Sequence, residues 1–276
     1  MQNNLQTTSS IYGPVNSWRL GKSLGVDLIM DPSTCSFNCT YCQLGFIQRI
    51  TQERKVFVST EKAVLDFKSS KWQEADVITF SGSGEPTLAL NIGEVINEIK
   101  KITDKPIGIL TNATLFNDLS VRKDILNVDV ISVKLDAPDD ETLQAINRPV
   151  GGINLKTIIS GIMKLKEDIG NVNAVGTCGR KPLLQIQIMF MPQNKNKINE
   201  LAKLLNEIKP DEVALNTPTR PYPGGWDIIT RGAHGEDVKK IKYPTKPLKQ
   251  LTHEEAKDIE LKLIELTGLK IISVYE

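Results

Sequence analysis

Three of the four cysteines fall within eight residues, as Cys35-Ser-Phe-Asn-Cys39-Thr-Tyr-Cys42. The spacing is CxxxCxxC, and thiols grouped in this way suit three chemistries. A structural zinc ion normally takes four protein ligands, and no fourth stands beside these three. A dithiol redox centre needs only the CxxC pair of Cys39 and Cys42. Three thiolates on one tight loop can also hold three irons of a [4Fe–4S] cluster and leave the fourth iron open. Cys178, in NAVGTCGRKP, stands alone. A lone thiol is usually an ordinary small buried residue, and its glycine-containing surroundings leave a substrate-facing role open.

A reactive loop needs a rigid frame. Short apolar runs at residues 26–30, 76–81, 106–111, 129–136, 183–191 and 212–216 predict strands. Amphipathic stretches at 61–71, 92–102, 119–126, 155–168, 195–208 and 253–266 predict helices, and 269–275 can add a last strand. Most strands are rich in Val and Ile, as expected when both faces are covered. Residues 183–190 differ, because Gln185 and Gln187 alternate with apolar neighbours. Strict alternation of strand and helix implies parallel strands with right-handed crossovers. It fits a doubly wound sheet or a full or partial barrel, and six repeats fall short of a complete eight-fold barrel. In either case chemistry belongs at the carboxyl ends of the strands. There the sequence places the cysteine loop, SGSGEP, TNAT, KLDAPD and NTPTRP. Any one of these suits a plain turn; their succession at one end of the sheet suggests a site.

The cysteine motif, with Tyr41 before its last cysteine, resembles that of the radical S-adenosylmethionine (SAM) enzymes, CxxxCxΦC. The resemblance implies a partial (β/α)6 barrel with parallel strands. It implies one [4Fe–4S] cluster on Cys35, Cys39 and Cys42, and SAM as the second cofactor. Tyr41 would then lie near the adenine. Gly84 and Glu85, in Ser83-Gly84-Glu85-Pro86, would meet the SAM amino group. Asn112 would sit near the methionine moiety, with Ala113 where the family has Gly. Lys134 and Asp136 would contact the carboxylate or ribose, and Gln187 would be an inward polar residue on its strand. Asn216 holds the corresponding place on the sixth strand. An electron from a ferredoxin or flavodoxin would cleave SAM to methionine and a 5′-deoxyadenosyl radical that abstracts hydrogen from the substrate.

Longer phrases extend the resemblance over most of the chain. IYGPVNSWRLGKSLGVDL, YCQLG, FSGSGEPTL, VKLDAPDDETLQAINRP and ALNTPTRP are similar to the wyosine-synthase-like, tRNA-modifying group. Founding members of that group carry a second cluster on three cysteines upstream of the SAM motif. Residues 1–34 contain no cysteine, so a single cluster is expected, and the substrate is left as a nucleoside, RNA or small metabolite. A glycyl-radical-enzyme activase with a protein partner is the alternative. A non-catalytic iron–sulfur or metal-binding protein is more remote. Arg19, Arg148 and Arg220 are the basic residues best placed to meet a substrate anion, against the plainer reading of surface ion pairs. His234 and His253 suggest no role.

Composition agrees with an ordinary globular chain. Of 276 residues, 34 are Lys or Arg and 33 Asp or Glu, so the net charge of +1 announces neither nucleic acid nor a membrane. The polar N-terminus lacks a basic segment followed by an apolar run, and no apolar stretch approaches a membrane span. Clustered thiols without a signal peptide predict a cytoplasmic protein. The expected organisation is an N-terminal extension (1–24), a partial barrel (25–219), and a long loop with a closing helix and strand (220–276).

Overall fold

The valine- and isoleucine-rich runs form strands that are buried on the face covered by helices. A computed structural model describes residues 8–172, 179–226, 228–231 and 243–275; Cys178 and His234 lie outside them. Eight strands make one sheet in chain order. They are β1 (Ile11–Ser17), β2 (Gly21–Val26), β3 (Val77–Phe80) and β4 (Ile107–Thr111). Then follow β5 (Val130–Lys134), β6 (Leu183–Met189), β7 (Glu212–Asn216) and β8 (Ile271–Ser273). From β2 to β8 each neighbouring pair is parallel. The sheet curls into a half-barrel.

The connecting helices are α1 (Thr60–Lys68), α2 (Ile92–Lys100), α3 (Leu119–Ile125), α4 (Asp140–Ile146), α5 (Leu155–Asn171), α6 (Ile198–Ile208) and α7 (His253–Thr267). Side chains alternate across each strand. Ile78, Phe80, Ile109, Ile131, Val133, Ile186, Ile188 and Val213 share one core with the apolar faces of the helices. The alternate positions form the lumen, which is small and polar. Ser23 and Thr79 share a hydrogen bond of 2.7 Å, and Ser132 donates to Gln185 Oε1 at 2.7 Å. Gln185 in turn donates to Glu212 at 2.7 Å.

Three elements differ from the sequence expectation. The first parallel strand ends at Val26 rather than starting there. The Asp27 carboxylate accepts the backbone N–H groups of Ile29 and Met30, each at 3.0 Å, and so turns the chain out of the sheet. Secondly, β1 pairs antiparallel with β2, so the sheet is not wholly parallel. As an edge strand β1 can contain Pro14, which no central strand tolerates. Thirdly, α4 is an additional short helix, capped by Asp139, whose side chain accepts from Thr142 N at 2.7 Å.

After β7, Tyr222–Pro223 pairs with Thr245–Lys246. This segment lies against the cysteine loop: a Cβ on Gly45, whose φ is +73°, would stand 2.8 Å from Pro223 O. Among the described residues no helix is long and apolar enough to cross a membrane.

Candidate functional site

The cysteine loop leaves β2 and is strapped on two sides by backbone. On one side Thr34 N donates to Ser83 O at 3.0 Å, and Glu85 N donates to Thr34 O at 3.1 Å. Gly84 lies between them, where a Cβ would be 1.7 Å from Thr34 O. Only glycine permits that approach. On the other side Asn38 N donates to Asn147 O at 2.9 Å, Thr40 N to Ile146 O at 2.9 Å, and Val150 N to Ser36 O at 2.9 Å. The three thiols are thus suspended between the ends of β3 and α4.

Glu85 is 3% exposed and tied to the end of β4. Its Oε1 accepts the Thr111 hydroxyl at 2.6 Å, the Thr87 hydroxyl at 2.7 Å and Thr87 N at 3.1 Å. Its Oε2 accepts Asn112 N at 2.7 Å. Burial pushes this carboxyl above its ordinary range, against those donors. Most of its accepting capacity is taken by the chain, and only Oε2 keeps an open lone pair. Asn112 passes the tie onward: its amide nitrogen donates to Ser36 Oγ at 2.8 Å and approaches Cys35 Sγ at 3.6 Å. Ala113 follows with φ +60°, so the left-handed turn forms without the glycine.

Asp136, 2% exposed, organises the other half. Its Oδ2 accepts the Tyr41 hydroxyl and Asn147 Nδ2 at 2.8 Å. Its Oδ1 accepts Met189 N at 2.7 Å. The Lys134 ammonium stands 3.7 Å from Asp136 Oδ1 and 4.8 Å over the Tyr41 ring. Burial lowers its proton affinity, although Asp136 opposes that. Ile146, Met189 and Met191 pack on the Tyr41 ring. Gln187 pairs with Lys134 across the β5–β6 register and is 9% exposed on the lumen face.

The donor set fits an iron–sulfur cluster. Cys35 Sγ receives Phe37 N at 3.4 Å, and Cys39 Sγ receives Asn147 Nδ2 at 3.4 Å. N–H groups aimed at sulfur suit thiolates that carry a cluster. Asn147 Oδ1 and Thr40 Oγ1, beside Cys39, are buried polar atoms with no partner. Burial raises the thiol of Cys39 to about 12 and that of Cys42 to about 11, and holds Cys35 well above the ordinary value. Positively charged iron would offset that penalty. Among the described residues no three His, Cys, Asp or Glu side chains converge on one ion-sized point. The arrangement therefore does not match a mononuclear zinc site.

The structure brings together Cys35, Cys39, Cys42, Tyr41, Gly84, Glu85, Asn112, Lys134 and Asp136, with Gln187 on the adjoining lumen wall. Asn216 spends its side-chain oxygen on Thr217 N at 2.9 Å. Arg148 is exposed, and the His253 ring packs edge-on against Tyr275. Asn147 and Ser36 were not anticipated. Asn147 occurs in the phrase INRP, but only folding shows that its amide, rather than the neighbouring Arg148, grips the cysteine loop.

Comparison with known proteins agrees with this geometry. Residues 31–205 match the family model described as the Radical SAM superfamily. A UPF0026 protein of Synechocystis is 45% identical over 228 residues, covering 83% of this chain and 82% of that protein. A UPF0026 protein of Methanocaldococcus jannaschii is 35% identical over 233 residues, covering 80% and 68% respectively. Among solved structures, TYW1 with a lysine–pyruvate adduct superposes with a TM-score of 0.61 at 18% identity, over 92% of this chain and 78% of that one. That last likeness is one of fold.

Proposed function

The chain belongs to the radical SAM superfamily, and from that premise we propose that its [4Fe–4S] cluster is held by Cys35, Cys39 and Cys42 and serves hydrogen abstraction from a nucleoside, RNA or small metabolite. The observation that carries the reading is the pair of amide contacts, Asn112 to Cys35 and Asn147 to Cys39. They join the thiols to the end of β4, beside Glu85, and to the end of α4, beside Asp136. When bound, the reduced cluster and SAM supply a 5′-deoxyadenosyl radical.

This chain's residues bind and orient. The Lys134 ammonium suits the SAM carboxylate, and Tyr41 offers its ring to the adenine. Gly84 lets the β3 turn close on the cysteine loop, leaving that turn's backbone and Glu85 Oε2 to meet the ammonium. Asn112 borders the methionine moiety. Asp136 acts through Tyr41, Asn147 and Lys134, which it holds in place. Gln187 faces the substrate side of the lumen. A low-potential donor such as a ferredoxin or flavodoxin supplies the electron.

Anaerobic reconstitution tests the reading. About four irons and four sulfides per chain are expected, together with slow conversion of SAM to 5′-deoxyadenosine after reduction. Replacing all three cysteines with alanine should abolish both. A cluster that survives in the triple variant would overturn the assignment.

A further inference from the structure

The carboxylate of Asp27 joins three segments that lie far apart in the chain. It is 1% exposed and stands just past β2, where the stem of the cysteine loop begins. Its Oδ1 accepts Ile29 N and Met30 N, each at 3.0 Å. Its Oδ2 accepts the Ser83 hydroxyl at 2.6 Å and Arg231 Nη1 at 3.0 Å. Gly82 closes on the same carboxylate: a Cβ there would stand 2.4 Å from Asp27 Cγ. Arg231 follows β7, near the other edge of the sheet, on chain that returns to the end of β2. Its Nη2 donates to Ser9 O at 2.6 Å, its Nη1 also meets Met30 Sδ at 3.0 Å, and its guanidinium lies 5.2 Å over the Tyr12 ring. A second tie lies close by, where Trp226 Nε1 donates to Asp31 Oδ1 at 2.8 Å. The chain after β7 therefore grips the stem at two points, Asp27 and Asp31.

A buried ion pair contributes little net stability compared with apolar groups of the same shape. What it adds is geometry, because the guanidinium fork fixes its partners at set angles. Here those partners frame the cofactor site. Ser83 is the residue before Gly84 and Glu85, and its carbonyl accepts the N–H of Thr34, the residue before Cys35, at 3.0 Å. A displaced Asp27 would carry Ser83 and the stem with it, and so change the placing of Glu85 against Cys35.

We propose that Asp27 and Arg231 are positioning residues for SAM. Arg231 holds the Asp27 carboxylate, and Asp27 holds the Ser83–Glu85 turn against the stem of the cysteine loop. This deepens the reading above and rests on it for the identity of SAM; the clamp itself stands on the hydrogen bonds. The chain after β7 thereby bears on cofactor binding from the other edge of the sheet.

The test compares wild type with Arg231→Met, with the double variant Asp27→Asn and Arg231→Met, and with Ser83→Ala. Arg231→Met alone leaves a buried carboxylate without its cation and should melt about 10 °C below wild type. The double variant removes both charges and should recover most of that loss, because the asparagine oxygen can still accept Ile29 N and Met30 N. SAM binding is then measured by equilibrium dialysis on reconstituted protein of equal iron content. It should stay about ten-fold weaker in the double variant and about five-fold weaker in Ser83→Ala, the scale of one hydrogen bond. Wild-type affinity in a stable double variant would overturn the proposal, since the pair would then serve stability alone. Wild-type affinity in Ser83→Ala would overturn it as well, and decides the matter if the double variant does not fold. Hydrogen exchange on the metal-free chain needs no cluster. The amides of Thr34 and Glu85 should exchange faster in Ser83→Ala and in the double variant, while those of α5 keep their wild-type rates. Unchanged exchange at Thr34 and Glu85 would show that Asp27 does not hold the turn. If wild type binds no SAM, the radical reading falls, while the exchange result still decides the clamp.

Discussion

Asn147 Nδ2 donates to Cys39 Sγ at 3.4 Å across 108 residues of chain, and the same amide holds Asp136 Oδ2 at 2.8 Å. One side chain therefore couples a thiol of the cysteine motif to the carboxylate that positions Tyr41. N–H donors to sulfur raise the potential of an iron–sulfur centre. Asn147→Ala should make the reconstituted cluster harder to reduce, seen as a more negative midpoint in an EPR-monitored titration. An unchanged midpoint would show that the amide serves packing alone.

Glu85 is tied to Thr87, Thr111 and Asn112. Glu85→Ala strands those donors in a buried site. It should destabilise even the cluster-free chain by about 3 kcal/mol, since each unpaired buried donor costs ~1–3 kcal/mol. Denaturant unfolding measures this, and equilibrium dialysis should show weaker SAM binding in the folded fraction. Wild-type stability in this variant would mean that the ties are dispensable.

Gly84→Ala puts a methyl group 1.7 Å from Thr34 O. The backbone pair between residues 34 and 84 must open, and the cysteine loop shifts with it. Reconstituted variant should hold well under half of the wild-type iron while its far-ultraviolet dichroism stays close to wild type. Full iron content would show that the strap is not needed to place the thiols.

Lys209 ends α6 in the left-handed region, with φ +50°, and its side chain is exposed. A non-glycine residue there costs about 1 kcal/mol. Lys209→Gly should raise stability by ~0.5–1 kcal/mol with SAM cleavage unaltered, measured by denaturant unfolding and product chromatography. A loss of stability would mean that the lysine side chain outweighs the backbone term.

Asp66 on α1 secures the β1 edge. Burial pushes its carboxyl up, but Lys62 and the two donors of Ser10 outweigh that and hold it below the ordinary range. A depressed carboxyl contributes stability that is present above the unfolded value near ~3.9 and lost as pH falls through the folded value. Asp66→Asn should therefore be less stable than wild type at neutral pH, with the gap narrowing as the pH falls below the unfolded carboxyl value. A gap that persists in acid would point to shape rather than charge.

The sequence by itself determined what local chemistry governs. Alternating apolar runs specified parallel strands with intervening helices, because periodicity and burial are set within a few residues. CxxxCxxC with Tyr41 left several thiol chemistries open, and its resemblance to the radical SAM motif is what pointed to a cluster. Side-chain alternation also put Lys134 and Asp136 on one face. It did not specify the β1–β2 hairpin, whose pairing is interrupted between Tyr12 and Val15 and whose Asp27 turn competes with the strand expected from residue 26. Nor did it say that Glu85 and Asp136 would be engaged by the chain's own donors, or that Asn147 would reach Cys39. Those bonds link residues separated by 26 to 108 positions. Arg19 shows the same limit: its identity is written in the sequence, but that its Nε and Nη1 lie shielded from solvent without a hydrogen-bond partner is known only from the folded hairpin turn. Desolvation is a property of the whole packed molecule, so only the tertiary structure could decide which polar and charged groups are partnered and which are not.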